Sequence, residues 1–293
     1  MTERIIEIAE TSAFLSLENH LLKIRLAEGK LVTVPVGEIQ CLVLANPALT
    51  ITGAVLAELA SAGVTVVLSG SNRLPVAMQL PLDGNYIQNE RFRAQIQASQ
   101  PLNKRLWQSI VREKIMRQGL LLQELHGDDC NLLALSKEVK SGDTNNTESR
   151  AAVIYWKHIF NQKFLRDRDR ADNNLLLNYG YAILRAMTAR AICSVGLHPT
   201  LGINHHNRYN PYCLADDLME PYRYIVDRKV AALNPENLSV NALTRELRAE
   251  LLSCLLAKVE TERGAWQLSD LLRISAGQVA ESYQEGELCL KYC

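Results

Sequence analysis

The spacing of apolar residues changes once along this 293-residue chain, near residue 84, and that change limits the folds open to it. Up to this point, apolar residues alternate with polar ones or run continuously. Beyond it, they recur every three to four positions. A period of two indicates β-strands, and a period near 3.6 indicates helices. The pattern therefore predicts an α+β chain with a small β domain over residues 1–84 and a larger all-α domain over residues 85–293.

Five segments of the first part read as strands. "HLLKIRLA" and "LVTVPV" alternate, which is typical of strands with one buried face. "IQCLVLAN" and "VTVVLSG" are continuously apolar, which suits strands buried on both faces. "RLPVAMQLP" predicts a last strand, and "TITGAVLAELASAG" predicts a helix that stops at Gly63.

The second part reads as helices separated by short breaks. "NYIQNERFRAQIQAS" and "PLNKRLWQSIVREKIMRQGLLLQELHG" are divided by Pro101, and Gly127 ends the second. Residues 141–147 form a polar loop. Helical spacing returns over residues 148–165, 172–195, 211–229, 239–260 and 266–274.

Composition limits the class of protein to which this chain can belong. With 47% hydrophobic and 22% charged residues, the chain resembles a folded globular protein. Its formal net charge is zero, so any surface for a polyanion must be local. The start of the chain lacks the pattern of a signal peptide, and no apolar run is long enough to span a bilayer. Seven cysteines without a CxxC motif favour reduced thiols in a cytosolic protein.

Basic residues concentrate in two helical segments. Residues 86–125 hold seven basic and three acidic residues, and residues 150–190 hold eight and three. Aromatic residues, among them Trp107 and Trp156, lie between the basic ones. Such helices could bind a phosphate backbone, or they could be solvated faces with aromatics turned to the core. Two such segments beside an acidic cluster favour nucleic acid.

The acidic cluster lies in "GINHHNRYNPYCLADDLMEPYR", residues 202–223. Asn210 and Pro211 predict a helix start, with asparagine as the cap. Asp216 and Asp217 then share a helix face with Glu220. Like charges at these spacings repel one another, and a cation would offset the repulsion. The cation could be an arginine or a metal ion.

Two further features of this part of the chain bear on that cation. Pro221 should bend the helix beside the carboxylates. His205 and His206 precede the helix, and adjacent residues point in different directions, so only one is expected to face the acids. Histidine with carboxylates suits Mg²⁺ or Mn²⁺ better than structural zinc.

Glu148 is a candidate from a distant helix. It follows the polar loop and begins "ESRAAVIYWKHIF", with Thr147 predicted as the cap. A carboxylate here could simply favour the helix dipole, or it could reach a metal ion.

"TESRAAVIYW" and "NYGYAILRAMTARAICSVGLHPTLGINHHNRYNPYCLADDLMEPYR" closely resemble the Cas1 family of CRISPR-associated integrases, which acquire new spacers. The resemblance extends from the β region to about residue 260. The segment "PVAMQLPLDGNYIQNER" and the residues around "HHN" look most like those of members from type II systems. The resemblance implies an N-terminal β-sandwich dimerisation domain followed by a helical catalytic domain.

The resemblance also implies a metal-dependent DNA endonuclease and integrase. It would join the 3′-hydroxyl ends of short DNA fragments, called prespacers, into the repeat array by transesterification. The implied ligands of Mg²⁺ or Mn²⁺ are Glu148, His205 and Glu220, with His206 and Asp217 as less certain ones. The alternative is a non-catalytic DNA-binding scaffold of the same complex.

The implied partners are double-stranded and branched DNA, a second copy of the chain, and Cas2 in an assembly of four Cas1 and two Cas2 chains. A type II system would add the Cas9 effector, and no membrane partner is expected. The candidate phosphate contacts are Arg208, Arg223, Arg166 and Arg168.

Overall fold

The computed structural model describes residues 4–70, 74–160 and 164–292. Its first part consists of β1 (Arg4–Ile8), β2 (Ala13–Glu18), β3 (Leu21–Leu26), β4 (Leu31–Pro35), β5 (Ile39–Leu44), β6 (Thr50–Ile51), α1 (Gly53–Ser61), β7 (Thr65–Ser69) and β8 (Pro75–Gln79). The strands form two four-stranded sheets, ordered β1-β5-β7-β8 and β4-β3-β2-β6. Both sheets contribute to one core around Leu15, Leu22 and Leu42, so the predicted β-sandwich is confirmed.

Strand β5 explains why "IQCLVL" is continuously apolar. Leu42 and Leu44 belong to the core of the sandwich, whereas Cys41 and Val43 pack into a second core with the helices. All six residues of β5 are buried, because the sheet is covered on both faces. Strands β1 and β2 were not predicted, and β1 pairs with β5 in parallel. Because the two cores share this sheet, the division at residues 84–85 stays a prediction as a domain boundary.

The second part is helical apart from one hairpin. It contains α2 (Gln88–Gln97), α3 (Gln100–His126), α4 (Leu132–Lys137), α5 (Thr147–Ile159), α6 (Asn173–Ser194), α7 (Cys213–Met219), α8 (Arg223–Leu233), α9 (Arg245–Leu256), β9 (Lys258–Thr261), β10 (Gly264–Gln267) and α10 (Leu268–Glu285). Strands β9 and β10 pair antiparallel, so the helix predicted over 239–260 ends early and the region is not purely helical. The helix predicted over 148–165 also ends early, and residues 161–163 lie outside the described ranges.

Two predicted helix caps are wrong. Helix α7 begins at Cys213, because Asn210 accepts the Tyr212 amide at 3.0 Å and so closes a turn before the helix. Helix α5 is capped by Asp143, whose carboxylate accepts the amides of Thr147 at 2.8 Å and Glu148 at 3.0 Å.

The chain departs from α-helical geometry at Pro221, where a bend is predicted. Residues Glu220–Tyr222 form a single 3₁₀ turn between α7 and α8. Proline cannot donate a backbone hydrogen bond, so the α-helical pattern is interrupted at this point. The turn leaves Glu220 at the junction of two helices.

Two observations bear on location and redox state. None of the helices in the described ranges is long and apolar enough to cross a membrane. The six cysteines in these ranges are free of disulfides, and Cys293 lies outside them.

Helices α6 and α8 approach closely at Gly180. A Cβ atom there would lie 2.4 Å from Val226 Cγ1, so only glycine fits without displacing the α8 side chain. Gly277 in α10 is also in a helix interior, but its nearest neighbour to an added Cβ is Val195 Cγ1 at 4.0 Å.

We expect Gly180→Ala to lower the free energy of unfolding by about 1–3 kcal/mol, because the methyl group overpacks the contact with Val226. Gly277→Ala is the matched control. It should raise the free energy of unfolding by about 0.5–1 kcal/mol, because alanine favours a helix interior. Urea denaturation measures both, and equal stabilisation by the two changes would contradict the close packing of α6 on α8.

Candidate active site

The ammonium group of Lys114 joins two carboxylates from distant parts of the chain. Lys114 Nζ lies 2.6 Å from Glu148 Oε1 and 2.8 Å from Glu220 Oε2. Lys114 is in α3, Glu148 is in the first turn of α5, and Glu220 begins the 3₁₀ turn before α8. The structure thus brings together two of the three predicted ligands at one cation.

Lys114 was not among the predicted site residues, although the sequence contains a signal for it. It lies on the buried face of α3, in a stripe that includes Trp107, Ile110, Gln118 and Leu121. Its side chain is only 13% exposed. Buried lysines require a partner of opposite charge, so a lysine in this stripe indicates carboxylates nearby.

Glu220 is a buried and ionised carboxylate. Its Oε1 lies 2.8 Å from Arg223 Nη2, and its Oε2 faces Lys114. Burial alone would raise the pKa of Glu220, but Arg223 and Lys114 outweigh it and hold the pKa below its ordinary value. Oε2 is buried, and its contact with the Lys114 ammonium group is an ion pair.

The structure distinguishes the two adjacent histidines. His205 Nδ1 lies 2.5 Å from Asp217 Oδ1, and the ring packs edge-on against Trp107 with centroids 5.6 Å apart. The hydrogen bond with Asp217 raises the pKa of His205 despite burial, and the charges of Glu220 and Glu148 add to the effect. His206 is exposed and lines a separate cavity of about 440 Å³. His205 is therefore the histidine that faces the acids.

Asp217 fastens the loop before α7. It is fully buried, and its Oδ2 accepts the amides of Ile203 at 2.6 Å and Asn204 at 3.0 Å. Gly202 fits tightly beneath this loop, since a Cβ atom there would lie 2.3 Å from the carbonyl oxygen of His205. Both oxygens of Asp217 are thus engaged by residues of the loop, whereas Glu148 and Glu220 contact Lys114.

Arginine side chains surround a cavity of about 320 Å³, and one of them, Arg223, pairs with Glu220. Arg166, Arg168, Arg185 and Arg223 line it together with Tyr181. Three of the four predicted phosphate contacts therefore converge on one cavity. The fourth, Arg208, lines the cavity that contains His206 and has its guanidinium 5.0 Å above the Tyr209 ring.

Asp216 has a structural partner within the same region. Arg185 holds it through two hydrogen bonds, at 2.6 Å and 3.0 Å. Within residues 4–70, 74–160 and 164–292, no three His, Cys, Asp or Glu side chains are grouped closely enough to hold a metal ion unaided. The cation that offsets the repulsion between Glu148 and Glu220 in this structure is Lys114.

Another buried carboxylate, Asp227, contacts Tyr181, which lines the arginine cavity. Asp227 in α8 accepts hydrogen bonds from Tyr155 in α5, at 2.7 Å, and from Tyr181 in α6. Arg223 lies 4.8 Å above the Tyr181 ring and so connects this layer to Glu220. Burial raises the pKa of Asp227 to about 6, although the two hydroxyl groups and the charge of Arg223 oppose the shift.

Comparisons with known proteins agree on one family. The family model described as CRISPR associated protein Cas1 matches residues 6–258. The chain is 36% identical over 251 residues to a CRISPR-associated endonuclease Cas1 from Neisseria meningitidis serogroup C, strain 8013, covering 85% of this chain and 82% of that protein.

Solved structures with the same fold include two nucleoprotein or multiprotein assemblies. A casposase bound to an integration product superposes with a TM-score of 0.80 at 20% identity, covering 99% of this chain and 93% of the casposase. A Cas6-RT-Cas1–Cas2 complex gives a TM-score of 0.77 at 18% identity, covering 98% of this chain and 35% of the matched chain.

The raised pKa of Asp227 predicts an unusual response to acid. Folding binds this proton more tightly, so Asp227 favours the folded state increasingly as the pH falls from about 6 to about 4. Acidification should therefore stabilise the wild type relative to Asp227→Asn by as much as about 3 kcal/mol. Urea denaturation of both proteins at several pH values measures the difference. Asp169→Asn, at an exposed carboxylate, is the control, and a difference that stays constant with pH would contradict the prediction.

Proposed function

The chain belongs to the Cas1 family of CRISPR-associated proteins, and from that premise we propose that it is a metal-dependent DNA integrase and endonuclease of CRISPR adaptation. The observation that carries the proposal is the convergence of Glu148 and Glu220 on one cation, with His205 turned toward them. Two carboxylates in this proximity are destabilising unless a cation lies between them.

The residues present suit a hard divalent ion. Glu220 Oε2 is buried and already faces a cation, so its surroundings suit a positively charged ligand. His205 uses Nδ1 toward Asp217, which leaves Nε2 as the free nitrogen. Two carboxylates and one imidazole nitrogen form a donor set for Mg²⁺ or Mn²⁺. When bound, the ion would polarise a phosphodiester and stabilise the charge on its departing oxygen.

Asp217 takes a different role in this proposal. Metal-binding histidines commonly donate a hydrogen bond from the N–H of their second ring nitrogen to a carboxylate. This hydrogen bond fixes the orientation of the ring. Asp217 has that relation to His205 and also accepts amides of the loop. We therefore assign metal binding to Glu148, His205 and Glu220, and assign to Asp217 the orientation of His205.

The arginine cavity would hold the DNA. Guanidinium groups bind phosphate oxygens in pairs, and Arg166, Arg168 and Arg223 line one cavity, in which Arg223 also pairs with Glu220. In the proposed reaction a 3′-hydroxyl of a DNA fragment loses its proton and forms a new bond to phosphorus at the edge of a repeat. The bond from that phosphorus to a 3′-oxygen of the target strand breaks, and this oxygen leaves as a new 3′-hydroxyl. One phosphodiester replaces another, so positioning and electrostatics supply the catalysis. Water in place of the hydroxyl would give nuclease activity.

The names of the structural neighbours support DNA and Cas2 as partners. One is a casposase bound to an integration product, and another is a complex that contains Cas1 and Cas2. Two joining events at separated positions need two active sites. We propose dimers formed through the β-sandwich, and four copies assembled with two Cas2 chains on double-stranded or branched DNA. In a type II system, the Cas9 effector would select the fragments.

Substitution of the proposed ligands should abolish the chemistry. Glu148→Gln, His205→Ala and Glu220→Gln should each reduce joining of a short duplex to a supercoiled repeat plasmid by about two orders of magnitude or more. The assay contains Mn²⁺ and Cas2. His206→Ala and Glu124→Gln are matched controls, since His206 and Glu124 are exposed and lie outside the cluster.

DNA binding separates catalysis from the alternative function. The three variants should retain binding to a branched duplex at low salt, where phosphate contacts dominate. Glu148→Gln protein that joins DNA as well as the wild type would favour a non-catalytic scaffold. Equal loss of activity in the two histidine variants would overturn the assignment of His205.

A further inference from the structure

Lys114 occupies the place between the two carboxylates that a divalent ion would need. Its ammonium group contacts Glu148 Oε1 and Glu220 Oε2, and Arg223 contacts the other oxygen of Glu220. Two positive and two negative charges therefore already balance at this point. A lysine side chain that contacts two carboxylates is an ammonium cation at neutral pH.

A divalent ion cannot simply be added to this arrangement. An ion bound to both carboxylates would lie within a few ångströms of the ammonium group, and the repulsion would be twice that between two unit charges. Glu220 Oε2 would also have to face both cations. Arg223 is less able to move away, because its guanidinium is packed over the Tyr181 ring and is paired with Oε1.

We propose that Lys114 is an internal counter-ion that holds Glu148 and Glu220 together in the metal-free protein, and that a divalent ion binds by displacing its ammonium group. The inference rests on the proposed metal site. It makes metal binding an exchange of one cation for another, so Lys114 weakens the affinity for metal while it stabilises the empty site. A purely structural salt bridge would instead persist when metal binds.

The first test measures Mn²⁺ affinity by the electron paramagnetic resonance of the free ion. Lys114→Met keeps an unbranched side chain and removes the competing charge, so it should bind Mn²⁺ at least about tenfold more tightly than the wild type. Lys114→Arg keeps the charge and should bind no more tightly than the wild type. Lys104→Met is the matched control on the exposed face of α3 and should leave the affinity unchanged.

The second test uses the wild-type protein alone. An amine-acetylating reagent is applied with and without saturating Mn²⁺, and mass spectrometry follows each lysine. Without metal, Lys114 is buried and paired and should react slowly. With Mn²⁺, acetylation of Lys114 should become several-fold faster, while that of Lys104 stays the same. This test decides the question even where Lys114→Met does not fold.

The outcomes separate this inference from the proposed function. Mn²⁺ binding by the wild type without faster acetylation of Lys114 would overturn the exchange and leave the metal site intact. Lys114→Met protein that folds but binds Mn²⁺ no more tightly would also overturn it. Absence of Mn²⁺ binding in both the wild type and Lys114→Met would refute the metal site, and the exchange with it.

Discussion

The ion pairs that Lys114 makes with Glu148 and Glu220 connect three elements that are far apart in sequence. They join the middle of α3, the first turn of α5 and the 3₁₀ turn before α8. A buried charge is tolerated when it is paired, and removing one partner of such a pair typically costs about 3–5 kcal/mol. Helix packing around this point is thus constrained by charge as well as by apolar contacts. The carboxylates are positioned before any ligand arrives.

The charged layer continues from Glu220 into the helical core. Arg223 pairs with Glu220 and stacks on Tyr181, and Tyr181 donates its hydroxyl to Asp227. Asp227 also accepts from Tyr155 in α5, the helix that carries Glu148. Helix α5 is therefore joined to the segment of Glu220 and α8 twice, once through Lys114 and once through Asp227. This second contact limits how far α5 and α8 can move apart, and so it helps to fix the distance between the two carboxylates.

Much of the fold follows from apolar spacing, but the details of the site do not. Alternating apolar residues predicted β3 and β4, and a continuous apolar run predicted β5. In both cases the number of buried strand faces determines the spacing of apolar residues in the sequence. The hairpin of β9 and β10 has a weaker apolar pattern in the sequence, because its four-residue strands are mostly exposed. The wrong caps have one cause. Asn210 and Thr147 are good capping residues, but the side chain that caps a helix depends on loop geometry, and in α5 it is Asp143.

The choice between adjacent histidines likewise depended on tertiary structure. Spacing required that they point in different directions, and the loop closed by Asp217 determines which one faces inward. Lys114 was predictable in principle, as a lysine in an apolar stripe. The same residue also fits a basic helix face that binds nucleic acid, so spacing alone does not single it out.

Two cations hold Glu220, and their chemistry suits them to different tasks. Arg223 has a planar guanidinium that stacks on an aromatic ring and pairs with a carboxylate at fixed geometry, so it is suited to remain in place. Lys114 carries a compact charge on a flexible stem, and no aromatic ring in the described part of the chain stacks on it, so it is suited to leave. A site that must bind a divalent ion needs carboxylates that are close together, and closeness without a counter-ion would drive one of them to take up a proton. A cation that can be exchanged meets both requirements, whereas two arginines would give a stable but closed site.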